Sequence, residues 1–127
     1  MSKFREIILP SGTKLLLGKN ENNNDELMEE FKGKPNIILH TIAPGSPFCV
    51  IENELNPTRI DLQLSGSVCL GYSQIWRDKK TDAKVNIFTG KDITKPENAK
   101  PGTWRVKNAK TKLITKKEVL NSKKLLK

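Results

Sequence analysis

Two short apolar runs, residues 4–9 and 13–17, open the chain on either side of Pro10-Ser11-Gly12. Pro presets one turn angle and Gly accepts a positive φ, so this spacing predicts a β-hairpin. The polar stretch Glu21-Asn22-Asn23-Asn24 follows, with asparagines that bond their own backbone and resist regular structure. Asn24 then has the features of a helix N-cap. Asp25 and Glu26 would fill the first turn, where the helix dipole favours acid, and Leu27, Met28 and Phe31 would form the apolar face until Gly33-Lys34-Pro35 stops the helix.

Residues 36–52 form the centre of the pattern, two apolar runs joined by Ala43-Pro44-Gly45-Ser46-Pro47. Each run is short, rich in β-branched and aromatic residues and bounded by turn formers, which predicts two core strands. After them, Asn56 and Pro57 mark a helix start, and Ile60, Leu64, Val68, Tyr72 and Ile75 fall at helical spacing as one buried stripe. The pattern predicts a long helix over residues 57–76. Ser65-Gly66-Ser67 and Gly71 weaken its propensity but allow it to lie close on a sheet.

Charged residues 77–82 form a connector, and residues 84–88 read as a strand. Pro96 and Pro101 exclude ladder pairing across residues 95–102 and give a stiff basic loop. Residues 103–106 and 111–114 are two short strands with the spacing of a closing hairpin. Thr115 and Glu118 have capping-box spacing, so the last dozen residues predict a lysine-rich helix with Val119, Leu120, Leu125 and Leu126 as its apolar positions. Together these elements predict one α/β domain of the α+β kind: a mixed, mainly antiparallel β-sheet with a long helix packed on it as a two-layer sandwich. A chain of 127 residues suits a single core.

Charge changes the picture. Residues 1–76 hold 7 basic and 9 acidic residues, net −2, whereas residues 77–127 hold 16 basic and 5 acidic, net +11. A field this lopsided attracts polyanions and releases their counterions, which places nucleic acid first among partner classes and an anionic membrane surface second. Lysine used as a solvated surface filler is the plain alternative, although filler has no reason to segregate to one half. No apolar run approaches the roughly 20 residues of a membrane span, and the N-terminus lacks a secretory apolar stretch, so a cytoplasmic protein without membrane insertion is expected. Cys49 and Cys69 follow no metal spacing and read as small buried hydrophobes.

The chain carries no catalytic or cofactor motif and no metal-ligand cluster. Its candidate chemistry is a corner. His40, the single histidine, ends the first central run, and the Gly45 amide and the Ser46 hydroxyl follow in a turn that can bring donors to a phosphate. The same position suits a hydrogen-bonded core histidine. Tyr72 and Trp76 suit core-edge packing better than base stacking.

In order, Phe4-Arg5-Glu6, Leu9-Pro10-Ser11-Gly12, Gly18-Lys19-Asn20, Asn24-Asp25-Glu26-Leu27, Leu39-His40 with Pro44-Gly45-Ser46, Tyr72-Ser73, Lys95-Pro96 and Ala99-Lys100-Pro101-Gly102-Thr103 resemble the NFACT-R domain. That domain is the RNA-binding module of proteins that tag stalled nascent chains on the large ribosomal subunit, and it also occurs alone. The likeness covers residues 1–115 and leaves residues 116–127 as an added basic helix or tail. Where the family usually has an acidic residue and an aromatic before the histidine, this chain has Asn36, Ile37 and Ile38. Pro47 stands where the family usually has a second histidine, which removes one donor beside the turn.

The resemblance implies structured RNA, tRNA or ribosomal RNA, as the partner, with the large ribosomal subunit as its setting and DNA as a weaker candidate. Chain tagging itself needs further family domains, so these residues alone are not expected to perform it. Arg77, Lys79, Lys80, Lys95, Lys100, Arg105 and Lys107 would track the phosphate backbone, and His40, Gly45 and Ser46 would make a closer contact. The alternative is a protein-interaction adaptor that docks on a ribosome-associated or acidic partner and uses charge for steering. An enzyme with His40 as base, Ser46 beside it and Asp25 assisting lacks an orienting acid in the sequence.

Overall fold

The computed structural model describes residues 3–125. The first apolar runs form β1 (Arg5–Ile8) and β2 (Lys14–Leu17), an antiparallel hairpin with Ile7 opposite Leu15. The central runs form β3 (Ile37–Thr41) and β4 (Cys49–Ile51), antiparallel through Leu39 and Cys49. With β5 (Ala83–Thr89) and β8 (Lys110–Ile114) they build a six-stranded antiparallel sheet in the order β1-β2-β4-β3-β5-β8.

Side chains alternate across this sheet and feed two apolar clusters. On one face, Leu15, Leu17, Leu39, Cys49, Ile51, Val85 and Ile114 meet α2 (Arg59–Gly71). On the other, Leu16, Ile38, Val50 and Phe88 meet Leu27, Met28 and Phe31 of α1 (Glu21–Phe31). The fold is therefore α+β with an antiparallel sheet and helices against it, and α1 adds a layer that a sandwich of sheet and one long helix does not contain.

Four boundaries differ from expectation, each set by a side chain that caps the local turn. Asn20, not Asn24, caps α1: its side chain accepts from the Asn23 amide at 2.9 Å, while Asn23 Oδ1 accepts from the Lys19 amide at 2.9 Å. The asparagines expected to resist structure thus fasten the first turn. Thr58, not Asn56, caps α2, and the helix stops at Gly71. Ser73 restarts it as α3 (Gln74–Lys79) by accepting from Trp76 N and donating to Leu70 O at 2.6 Å.

The face that α2 buries is rotated from the expected stripe but overlaps it. Val68 is buried, Leu64, Tyr72 and Ile75 pack half-buried on the same cluster, Ile60 is 68% exposed, and the interior side also carries Asp61, Ser65, Gly66, Ser67, Cys69 and Leu70. Small residues allow this close seat, since a Cβ on Gly66 would lie 2.6 Å from Ile114 Cδ1. Buried Asp61 accepts from Ser11 Oγ at 2.6 Å and Thr13 Oγ1 at 2.8 Å, tying the first hairpin turn to the helix.

The expected closing hairpin is not formed. β7 (Arg105–Val106) pairs instead with β6 (Ile93–Thr94), while Trp104 and Val106 pack on the α1 cluster and β8 joins the main sheet beside β5. The C-terminal segment packs home. Thr115 and Glu118 form the capping box of α4 (Lys116–Asn121), and Val119 is buried in the α2 cluster. Leu120 is 47% exposed, Leu125 packs half-buried against that cluster, and Leu126 lies outside the described residues.

Candidate nucleic-acid interface

A cleft of about 290 Å³ opens where four separated segments meet: Arg5 of β1, the Gly18-Lys19-Asn20 entry to α1, the Gly45 turn, and Tyr72 with Gln74 and Arg77 at the α2–α3 junction. Several local devices assemble it. Gly18 permits the side chain of Asn24 to pass where any Cβ would overlap it, and Asn24 Oδ1 accepts from the Phe48 amide at 3.0 Å. This holds the α1 entry against the strand after the turn. Gly45 sits at φ +85°, and its carbonyl accepts from Gln74 N at 2.9 Å, fastening the turn to the start of α3. The Arg5 guanidinium lies 4.4 Å from the centre of the Tyr72 ring.

Three cations, Arg5, Lys19 and Arg77, line this cleft beside one carboxylate, Glu21. Arg77 is well exposed and reaches Asp78 only at 3.7 Å, a geometry too loose to neutralise it. Arrangements of this kind attract an anion and leave room for it.

The ten residues expected from sequence fall into four places. Gly45, Ser46 and Arg77 line the cleft. Ser46 Oγ, however, donates to Pro47 O at 2.8 Å and accepts from the Thr41 amide at 3.2 Å in a buried site, so its one proton is not available to a ligand.

His40 is not among the residues lining the cleft. It stacks on Phe48 with ring centres 4.3 Å apart, on the sheet face that carries α1. Burial lowers its pKa from 6.5 to about 4, against hydrogen bonds to the Ser46 and Thr41 backbone that work to raise it. The ring is thus neutral at pH 7 and carries no charge to offer a phosphate. Asp25, which would have assisted it as a base, is engaged elsewhere.

Lys79 and Lys80 are exposed at the end of α3, and Lys80 closes the helix in the left-handed region at φ 45° with its ammonium 5.6 Å from the Trp76 ring centre. The remaining four belong to the region around β6 and β7. Lys100, Arg105 and Lys107 are exposed. Lys95 is half-buried, with Nζ 3.1 Å from Asp25 Oδ1 and 5.1 Å from the Trp104 ring centre. The same Asp25 oxygen accepts from Gly102 N at 2.9 Å and Trp104 Nε1 at 2.9 Å. Burial pushes the Asp25 carboxyl up, and the bonds from Trp104, Gly102 and Lys95 with the Lys95 charge outweigh it and hold the group below its usual value. Lys95 is therefore a structural cation.

Sequence reasoning about the site missed Arg5, Lys19, Tyr72 and Gln74. A signal did exist for three of them, because Phe4-Arg5-Glu6, Gly18-Lys19-Asn20 and Tyr72-Ser73 are among the short motifs quoted for the family resemblance, and they converge on this cleft with the Gly45 turn. Among the described residues, no three His, Cys, Asp or Glu side chains group to hold a metal ion. No helix of these residues is long and apolar enough to cross a membrane. Cys49 and Cys69 are buried, and burial pushes the Cys69 thiol up to about 11 and the Cys49 thiol well above its usual value.

No protein-family model and no curated protein matches this sequence. The backbone is similar to the solved structure of the C-terminal part of the fibronectin/fibrinogen-binding protein from Streptococcus suis, with a TM-score of 0.82 and 22% identity. The match covers 95% of this chain and 49% of that one, so the chain spans about half the length of its neighbour. At that identity the likeness shows the fold alone.

Proposed function

We propose that this chain is a non-catalytic module that binds structured RNA, tRNA or ribosomal RNA, in the setting of translation or ribosome quality control that its resemblance to the NFACT-R domain implies. The observation that carries this reading is the meeting of Arg5, Lys19 and Arg77 in one cleft, in a chain whose second half bears net +11. A phosphate of the RNA backbone enters the cleft. Lys79, Lys80, Lys100, Arg105 and Lys107 then neutralise phosphates further along the strand, releasing counterions. Recognition is by backbone and shape: Trp76 is buried and one face of the Tyr72 ring already carries the Arg5 guanidinium, which leaves little aromatic surface for base stacking.

Binding of tRNA, ribosomal RNA fragments, duplex DNA and single strands of matched length, titrated with salt, tests the reading. Folded RNA should remain preferred at physiological salt. The double variant Lys19→Glu/Arg77→Glu should lower the magnitude of the salt slope by about 2, the loss of two phosphate contacts. Changing Lys79, Lys80 and Lys100 together to Glu should abolish binding with the fold intact. Weak binding that is equal for every polyanion and gone at physiological salt overturns the reading and leaves charge to steer an acidic protein partner.

A further inference from the structure

Tyr72 and Arg77 also line a second hollow, of about 580 Å³, between α3 and α4. Its two walls are short helices. Trp76 and Lys80, one turn apart, stand on the α3 side, and Val119, Leu120 and Lys123 stand on the α4 side. The lining is apolar toward Trp76, Val119 and Leu120, and Leu120 is 47% exposed whereas Val119 beside it is 1% exposed. Cations occupy both lips: Arg77 and Lys80 on one, Lys123 on the other. None of the described residues lining the hollow is acidic.

This chemistry fits RNA poorly. The centre of the hollow is apolar, and the Trp76 ring is buried beneath the Lys80 ammonium and cannot stack a base. Two neighbouring helices with an apolar seam between them accept a third helix by the packing that joins helices in bundles. Basic lips on both sides select an occupant whose apolar stripe is flanked by carboxylates.

We infer that the α3–α4 groove is a docking site for an acidic amphipathic helix of a partner protein, with Leu120 as the central apolar contact. The inference rests on a different hollow from the RNA cleft; Arg77 and Lys80 on one lip also belong to the RNA-contacting set, so the test uses Leu120 and Lys123, which do not.

Selection of random peptides about four helical turns long on the full chain tests it. The enriched sequences should combine Asp and Glu with apolar residues repeating at three- and four-residue spacing. A synthetic representative should bind about tenfold more weakly to Leu120→Ser. Lys123→Glu should weaken the same peptide and erase the preference for acidic sequences, and both positions are exposed enough for the fold to be retained, which a thermal melt checks. The tRNA affinity of Leu120→Ser should equal that of the parent. The inference is overturned if no sequence enriches, if the enriched peptides lack the acidic amphipathic pattern, or if Leu120→Ser binds them unchanged. Loss of tRNA binding in Leu120→Ser, with the fold intact, would instead assign the groove to RNA and overturn it as well.

Discussion

Two Pro- and Gly-containing loops look alike in sequence and differ in what they do. The Pro44-Gly45-Ser46-Pro47 turn borders an open cleft with Arg5, Lys19 and Arg77 around it. The loop at residues 95–102 folds down on α1, where Asp25 gathers the Lys95 ammonium, the Gly102 amide and the Trp104 indole N–H at one oxygen. In the first, the cations serve the surface; in the second, the cation named by sequence holds the loop in place. The difference lies in the partner, since a lysine beside a half-buried carboxylate is part of the fold and an arginine beside a distant, exposed one is free to meet a ligand.

The largest expected effect concerns the histidine next to the turn. An unfolded chain protonates His40 near pH 6.5 and the folded one only near 4, so stability is full above about 6.5 and declines as the pH falls toward 4, by about 3 kcal/mol. Denaturant titrations across that range should show the decline in the parent and not in His40→Phe, which keeps an aromatic against Phe48. An equal decline in both would place the acid sensitivity elsewhere.

Breaking the other loop should cost about 2 kcal/mol. Asp25→Ala removes the acceptor of three donors and should lower the melting temperature while leaving tRNA affinity unchanged or raised, because Lys95 is released. A fall in affinity would make Lys95 and its loop part of the binding surface. As its folded pKa is depressed, the stabilisation from Asp25 is present above the unfolded value and lost as the pH falls through the folded one.

The smallest effect sharpens the turn itself. Gly45→Ala strains a backbone at φ +85° and puts a Cβ 2.5 Å from Gln74 Oε1 and 2.8 Å from Gln74 Cβ, so about 1 kcal/mol of stability should be lost. Because the turn and α3 are joined through Gly45 O and Gln74 N, tRNA affinity should fall with it, measured at one fixed salt.

Elements whose signal was local were legible. The first hairpin, β3, β4 and β5 are apolar runs bounded by turn formers, and they stand within a residue or two of expectation. The α2 face was legible in part: Leu64, Val68, Tyr72 and Ile75 do pack on the core, but the rest of its interior side is built of Ser, Gly and Cys, whose burial depends on how tightly the sheet receives them. Pairing of β7 with β6, rather than with the nearer β8, was decided by Trp104 and Val106 reaching the α1 cluster.

Within the site, Gly45 and Arg77 could be found from turn chemistry and charge. The roles of Ser46 and Lys95 could not, since the first depends on a backbone amide across the turn and the second on a carboxylate 70 residues away. Composition identified cations, and tertiary contacts decided which were available.

The sheet order has one more consequence. β8 is an edge strand, and no described strand pairs with its outer side. An open row of N–H and C=O groups invites a second copy to add its own edge, and Leu113, 52% exposed, would reward the contact. Lys110 and Lys112 stand on that strand, where two like-charged edges would have to meet. Part of the positive charge in the second half therefore opposes such an edge-to-edge contact, a task that requires no ligand.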